Sequence, residues 1–191
     1  MKKGFTLAEL LITMGIIGIA AAILAPMVGN IIPDGNKGKV LKVYNNVSKI
    51  NEEILNDPSL YVGENGLSDT SAPADPNFAS YSGSSKYGKL LANRLEIDGN
   101  ISDNGTTVSF KTTDGISWTV TTDSIVVDVN PETTTNCYYG QSGCKTPDVF
   151  KFKIDESGNL SGDDPLTKAY LANPERMNDK KKDFDYAKEL S

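Results

Sequence analysis

Hydrophobic and polar positions follow several different rhythms along this chain, and each change of rhythm marks a predicted element. Leu10 to Val28 is an uncharged apolar run of 19 residues. As a helix rising about 1.5 Å per residue it reaches roughly 28 Å, close to the hydrocarbon thickness of a bilayer, so it predicts a membrane helix. Gly29 to Gly35, with Pro33 disfavouring helical geometry at Ile32, breaks the run. From Lys37 to Asn56, Val40, Val43, Tyr44, Val47, Ile50 and Ile54 recur at spacings of three and four, with Lys39, Lys42, Lys49, Glu52 and Glu53 mostly elsewhere on the wheel. That predicts an amphipathic helix over 37–56 with one buried face, ended by Asp57-Pro58.

Residues 59–83, rich in Gly, Ser, Pro, Asp and Asn, predict a long loop of weak order. Tyr87, Leu90, Leu91 and Leu95 then predict a short second helix over Ser84–Ile97, with Lys86, Lys89 and Arg94 as its solvated face. After it the period changes to two. Thr107–Phe110, Ile116–Val120, Ser124–Val129 and Val149–Ile154 predict an antiparallel sheet over about 106–154, its first three runs joined by turns at Thr113-Asp114-Gly115 and Thr122-Asp123. The last run alternates apolar and basic residues, so one face is buried and the other wet. The remainder, 160–191, reads as a polar tail with a short helical stretch at Pro165–Leu171 and a charged, solvated helix over Asn178–Leu190. The fold class is α+β.

Composition narrows the function. About 160 residues remain beyond a span of roughly 25, enough for one globular domain with a modest core. The whole chain carries a formal charge of −6, which argues against sequence-independent nucleic-acid binding, because that needs Lys and Arg at phosphates. Lys2 and Lys3 precede the span and the acidic bulk follows it, so the positive-inside rule puts the domain on the outer face of the membrane. With no histidine the usual general base is missing, and neither a nucleophile elbow nor a phosphate-binding loop occurs. The adjacent acids Asp163-Asp164 read as a turn, and the sequence predicts no enzyme.

The N-terminus carries the most specific signal. A secretory signal peptide places its small-residue cleavage site after the apolar region, whereas here the basic-then-small junction, Lys2-Lys3-Gly4 before Phe5, lies ahead of it. Gly4-Phe5-Thr6-Leu7 with Glu9, followed by a span interrupted by Gly18 and Pro26, resembles the N-terminal motif of type IV pilins and type II secretion pseudopilins. The resemblance implies a leader of residues 1–4, a transmembrane and assembly helix of residues 5–29, and an exported pilin-like domain of residues 30–191, in which a long N-terminal helix packs on a small antiparallel sheet. It further implies a prepilin peptidase, a membrane aspartyl enzyme that cuts after Gly4 and methylates the new amino group of Phe5. Removing Lys2 and Lys3 from the 19 basic residues leaves 17 against 25 acidic ones, so the mature chain carries −8. Other subunits and an inner-membrane assembly platform complete the implied partners. The implied location is the cytoplasmic membrane, then a periplasmic or cell-surface filament. In that family the connection between helix and sheet, here 59–83, is a variable contact surface.

Glu9 also has a physical reading of its own. A carboxylate within or beside an apolar helix costs up to a few kcal/mol and therefore faces water, a headgroup or a partner. The resemblance names the partner as the free amine of Phe5 on a neighbouring subunit, which makes Glu9 an assembly residue. Gly15 and Gly18 read as close-packing positions. Pro26 removes a backbone donor, so Gly18 to Pro26 is where the helix kinks or locally opens, and the resemblance makes this the stretch that extends on filament formation.

Cys137 and Cys144 flank six residues that include two glycines. In an exported protein this spacing predicts a disulfide, and with only two thiols and no histidine a four-ligand zinc site would need carboxylates. Asp128-Val129-Asn130, leading through a loop to Asp148 and the final strand, resembles a weaker pseudopilin pattern and makes Asp128, Asn130 and Asp148 candidate calcium ligands. Turn formation accounts for the same residues without a metal, and no cofactor is required. Trp118 reads as a core aromatic of the sheet. A second function class stays open: a single-pass anchored binding module whose outer domain recognises a ligand and which never polymerises.

Overall fold

The computed structural model of the chain describes residues 12–17, 35–61, 65–132, 136–172 and 180–191. Helix α1, Gly35–Leu55, runs along one side of a six-stranded antiparallel sheet. Its stripe of Val40, Val43, Val47, Ile50 and Ile54 is buried throughout, while Lys42, Lys49, Glu52 and Glu53 face water. The 3.6-residue period thus lays one continuous apolar ridge on the core. Pro33 and Asp34 lie outside the described residues, as does any link between α1 and the apolar run before it.

The strands β1 (Ile97–Asp103), β2 (Val108–Thr112), β3 (Ser117–Val120), β4 (Ser124–Asp128), β5 (Val149–Ile154) and β6 (Leu160–Gly162) pair in sequence order. In β2 and β3, inward Val108, Phe110, Trp118 and Val120 alternate with exposed or half-buried neighbours. Phe110 stacks on Trp118 at 5.7 Å between ring centroids, and Trp118 Nε1 donates to Thr112 Oγ1 at 3.0 Å, so the indole is a satisfied core residue.

The sheet is wider than 106–154 by one strand at each end. The predicted helix over 84–97 is shorter, Lys86–Asn93 (α2), and the chain then enters β1. Almost every β1 residue is exposed, so the strand has no buried face to print an alternation on the sequence. Its ladder with β2 is irregular between Asp98 and Ser102, and such a break blunts an open sheet edge. β6 is three residues long, too short for a periodic signal. A Cβ at Gly162 would stand 2.5 Å from Lys168 N, so this strand's closeness to the following helix requires glycine.

The loop after α1 is more ordered than its composition suggests. Leu60, Tyr61 and Leu67 enter the core. Asp57, Asp69 and Asp75 each accept a backbone N–H two residues on, from Ser59, Ser71 and Asn77, closing a series of Asx turns. Gly66 (φ +50°) lets the loop approach the β5–β6 turn, where Leu67 N–H donates to Glu156 O at 3.0 Å; a Cβ at Gly66 would sit 1.9 Å from that oxygen. Deeper in, Tyr87 Oη donates to Asn51 Oδ1 and Asn51 Nδ2 donates to Gly158 O, both at 2.8 Å, which ties α2, α1 and the β5–β6 turn together.

Two expectations about charge are corrected. Lys86 is buried, not solvated: its Nζ lies 3.1 Å from Asp69 Oδ2 and 4.0 Å from the centre of the Tyr61 ring. The described residues of 160–191 are likewise not a solvated tail. Helix α3, Pro165–Ala172, buries Leu166, Ala169 and Tyr170 in the core, and helix α4, Lys180–Glu189, buries Asp183 and Ala187. Asp183 Oδ2 meets the fully buried Lys37 Nζ at 2.7 Å. A partner for each charge removes the penalty that makes an isolated buried ion so costly.

Candidate functional site

The residues proposed for processing and assembly, Gly4, Phe5, Glu9, Gly18 and Pro26, lie outside the described residues. Of the apolar run Leu10–Val28, the structure describes 12–17, and this stretch is helical. Every side chain in it is exposed; Ile12, Met14, Ile16 and Ile17 each stand about 62–63% open. Apolar groups are normally withdrawn from water by their own domain, and a contiguous uncovered set marks a surface meant for lipid or another protein. Among the described residues no helix is long and apolar enough to cross a membrane.

At the start of α1 the chain meets the second feature singled out by the sequence, the loop between β4 and β5. Cys137 and Cys144 are joined in a disulfide, with their Cα atoms 5.7 Å apart. For a ring of eight residues the loop-closure relation gives roughly 2.5 kcal/mol of stabilisation. Asp148 Oδ1 accepts the Cys137 N–H at 2.8 Å, and Asn36 Nδ2 of α1 donates to Pro147 O at 2.9 Å, so the loop is bound to β5 and to the stem helix. Between them lies a cleft of about 670 Å³ lined by polar groups that include Asn36, Asn130, Asn136, Gln141, Lys145 and Asp148.

The three oxygen donors considered for calcium meet near this cleft. Asp128 Oδ1 accepts the Asn130 N–H at 2.9 Å, closing an Asx turn, and Asp148 Oδ1 accepts from Cys137 across the loop. Two carboxylates and one amide fall short of the six to eight oxygens that calcium takes, and no group of three or more His, Cys, Asp or Glu gathers among the described residues.

Burial pushes the Asp128 carboxyl above its ordinary range; the Asn130 N–H opposes this, and the nearby Asp148 carboxylate adds to it. A carboxyl whose folded pKa is raised binds its proton more readily in the native state. Ionised Asp128 thus costs stability at neutral pH, and the cost fades as pH falls through the raised value. Asp128→Asn keeps an acceptor for Asn130 and removes the charge. Thermal unfolding of this variant is expected to give a higher Tm than the parent at pH 7, with the advantage shrinking as the pH is lowered through the carboxylate range. An unchanged or lower Tm at pH 7 would contradict this reading.

Sequence reasoning anticipated the cysteine pair but not the contacts that the loop makes with the C-terminal helix. Tyr139, inside the disulfide ring, packs edge-on against Phe184 of α4 at 5.6 Å and donates its hydroxyl to Phe184 O at 3.4 Å. Only the aromatic character of the two residues could have hinted at the pairing, because they are 45 positions apart.

No curated protein and no solved structure matches the chain. Residues 1–25 match the family model described as the prokaryotic N-terminal methylation motif. The N-terminus of this chain thus carries the signature of type IV pilins and pseudopilins, ahead of an α+β domain.

Proposed function

We propose that this chain is a non-enzymatic structural subunit of a type IV pilus-like filament or type II secretion pseudopilus. A prepilin peptidase cuts after Gly4 and methylates Phe5, and the mature chain waits in the cytoplasmic membrane on residues 5–29 with its domain exported. The observation that carries the reading is the methylation motif at residues 1–25, which includes the described part of the apolar stretch, residues 12–17, helical and uncovered by its own domain. The helix α1 packed on an antiparallel sheet supports a pilin-like architecture. Partners follow from the same chemistry: other subunits along the apolar helix, the peptidase at the leader, and an assembly platform in the membrane.

In this reading Glu9 compensates the Phe5 amine of a neighbouring subunit away from water, so losing the carboxylate removes a pairing that fixes register. Glu9→Leu, expressed in place of the parent in its own cells, is expected to be processed and retained in the membrane but to lose most of the protein from the sheared filament fraction on immunoblots. Normal recovery in that fraction would remove Glu9 from assembly. A parent chain that never enters the filament fraction would favour the anchored binding module instead.

A further inference from the structure

We propose that the Cys137–Cys144 disulfide is a redox-controlled latch for the C-terminal helix, holding α4 over the base of α1 in the oxidised protein and releasing it on reduction. The contacts run in an unbroken line. The ring closed by the two cysteines presents Tyr139 to Phe184. The neighbouring Asp183 reaches Lys37, the third residue of α1, at 2.7 Å and is 3% exposed. Phe184 is partly buried against the core and Ala187 fully, so one side of α4 is seated on the domain.

Little else holds α4 as a helix. It has ten residues, seven of them charged, and isolated helices shorter than about 12–15 residues are marginal in water. Its order is therefore set by docking, so whatever loosens the docked contacts loosens the helix. The disulfide confines residues 138–143, so Tyr139 meets Phe184 with much of its ordering entropy already removed. In the reduced chain that entropy must be lost anew for each docking event. Reduction by a dithiol breaks the S–S bond, delivers two electrons and two protons to the sulfurs of Cys137 and Cys144, and leaves the reductant as its cyclic disulfide.

The test is hydrogen exchange on the full chain in detergent micelles, followed by mass spectrometry, with and without dithiothreitol. Peptides covering 180–191 are expected to exchange about fivefold faster or more after reduction, the lower end of ordinary coupling between sites, while peptides covering β2 to β4 keep their rates. Tyr139→Ala with the disulfide intact is expected to raise exchange in 180–191 by itself and to abolish its dependence on reductant. Three results would overturn the latch: exchange in 180–191 that reduction leaves unchanged; a Tyr139→Ala chain as redox-sensitive as the parent; or acceleration shared equally by β2 to β4, which would make the disulfide a support of the whole fold.

Discussion

Asp183→Ala is expected to destabilise the folded domain by about 3–5 kcal/mol, because it takes a carboxylate away from a buried ammonium. Lys37 and Asp183 have side chains only 1% and 5% exposed and meet at 2.7 Å. The Lys37 ammonium also lies 5.4 Å from the centre of the Tyr170 ring, a contact too weak to replace a carboxylate at that depth. Chemical denaturation followed by Trp118 fluorescence measures the loss, since that indole is 3% exposed in the native state and the chain contains no other tryptophan. The double replacement Lys37→Met with Asp183→Leu removes both charges and is expected to recover most of the stability, as apolar substitutes for buried ion pairs commonly do. Lys42 supplies the contrast. It also pairs with an aspartate at 2.8 Å, Asp114, but the two side chains are 55% and 34% exposed, and Lys42→Ala is expected to cost less than about 1 kcal/mol. Equal losses from Asp183→Ala and Lys42→Ala would show that burial does not govern these pairs.

Phe150→Ala is the second large effect, about 3–5 kcal/mol in the same assay. Phe150 is fully buried on β5, faces Val127 across the β4–β5 ladder, and lies 5.7 Å from the Tyr170 ring of α3. Truncation removes its transfer free energy and leaves a void between sheet and helix that close-packed neighbours refill only in part. Tyr170 touches both Phe150 and Lys37, so the two substitutions share a neighbour. The Phe150→Ala, Asp183→Ala double variant is expected to depart from additivity by at least about 0.5 kcal/mol. A loss below about 1.5 kcal/mol for Phe150→Ala would mean that α3 relaxes onto the sheet and closes the gap.

What could be read from the sequence follows from how locally each feature is encoded. The stripe Val40, Val43, Val47, Ile50, Ile54 and the alternating strands Val108–Thr112 and Val149–Ile154 bury one face each, so their periods print the fold on the chain. β1 lacks a buried face, and β6 is too short to show one. Lys86 and Asp183 read as solvated because a charge is the usual mark of a surface. Their partners depend on tertiary contacts, and Asp183 lies 146 positions from Lys37. The loop after α1 has a turn-rich composition, yet its Asx turns and inward Leu60 and Leu67 give it order that composition does not reveal. At the candidate site the cysteine spacing was sufficient to find the disulfide, whereas the Tyr139–Phe184 contact depends on where α4 docks. The N-terminal motif is legible for the opposite reason: it is defined by the order of its residues, so linear spacing carries the whole signal.

We propose that this N-terminus is a processed assembly segment, and the mass of the N-terminal peptide from the native host decides between processing and retention of the leader. A mature chain that starts at Phe5 and carries one methyl group on its amine is expected. A chain that keeps Met1 to Gly4, in cells whose prepilin peptidase matures its other substrates, would contradict it.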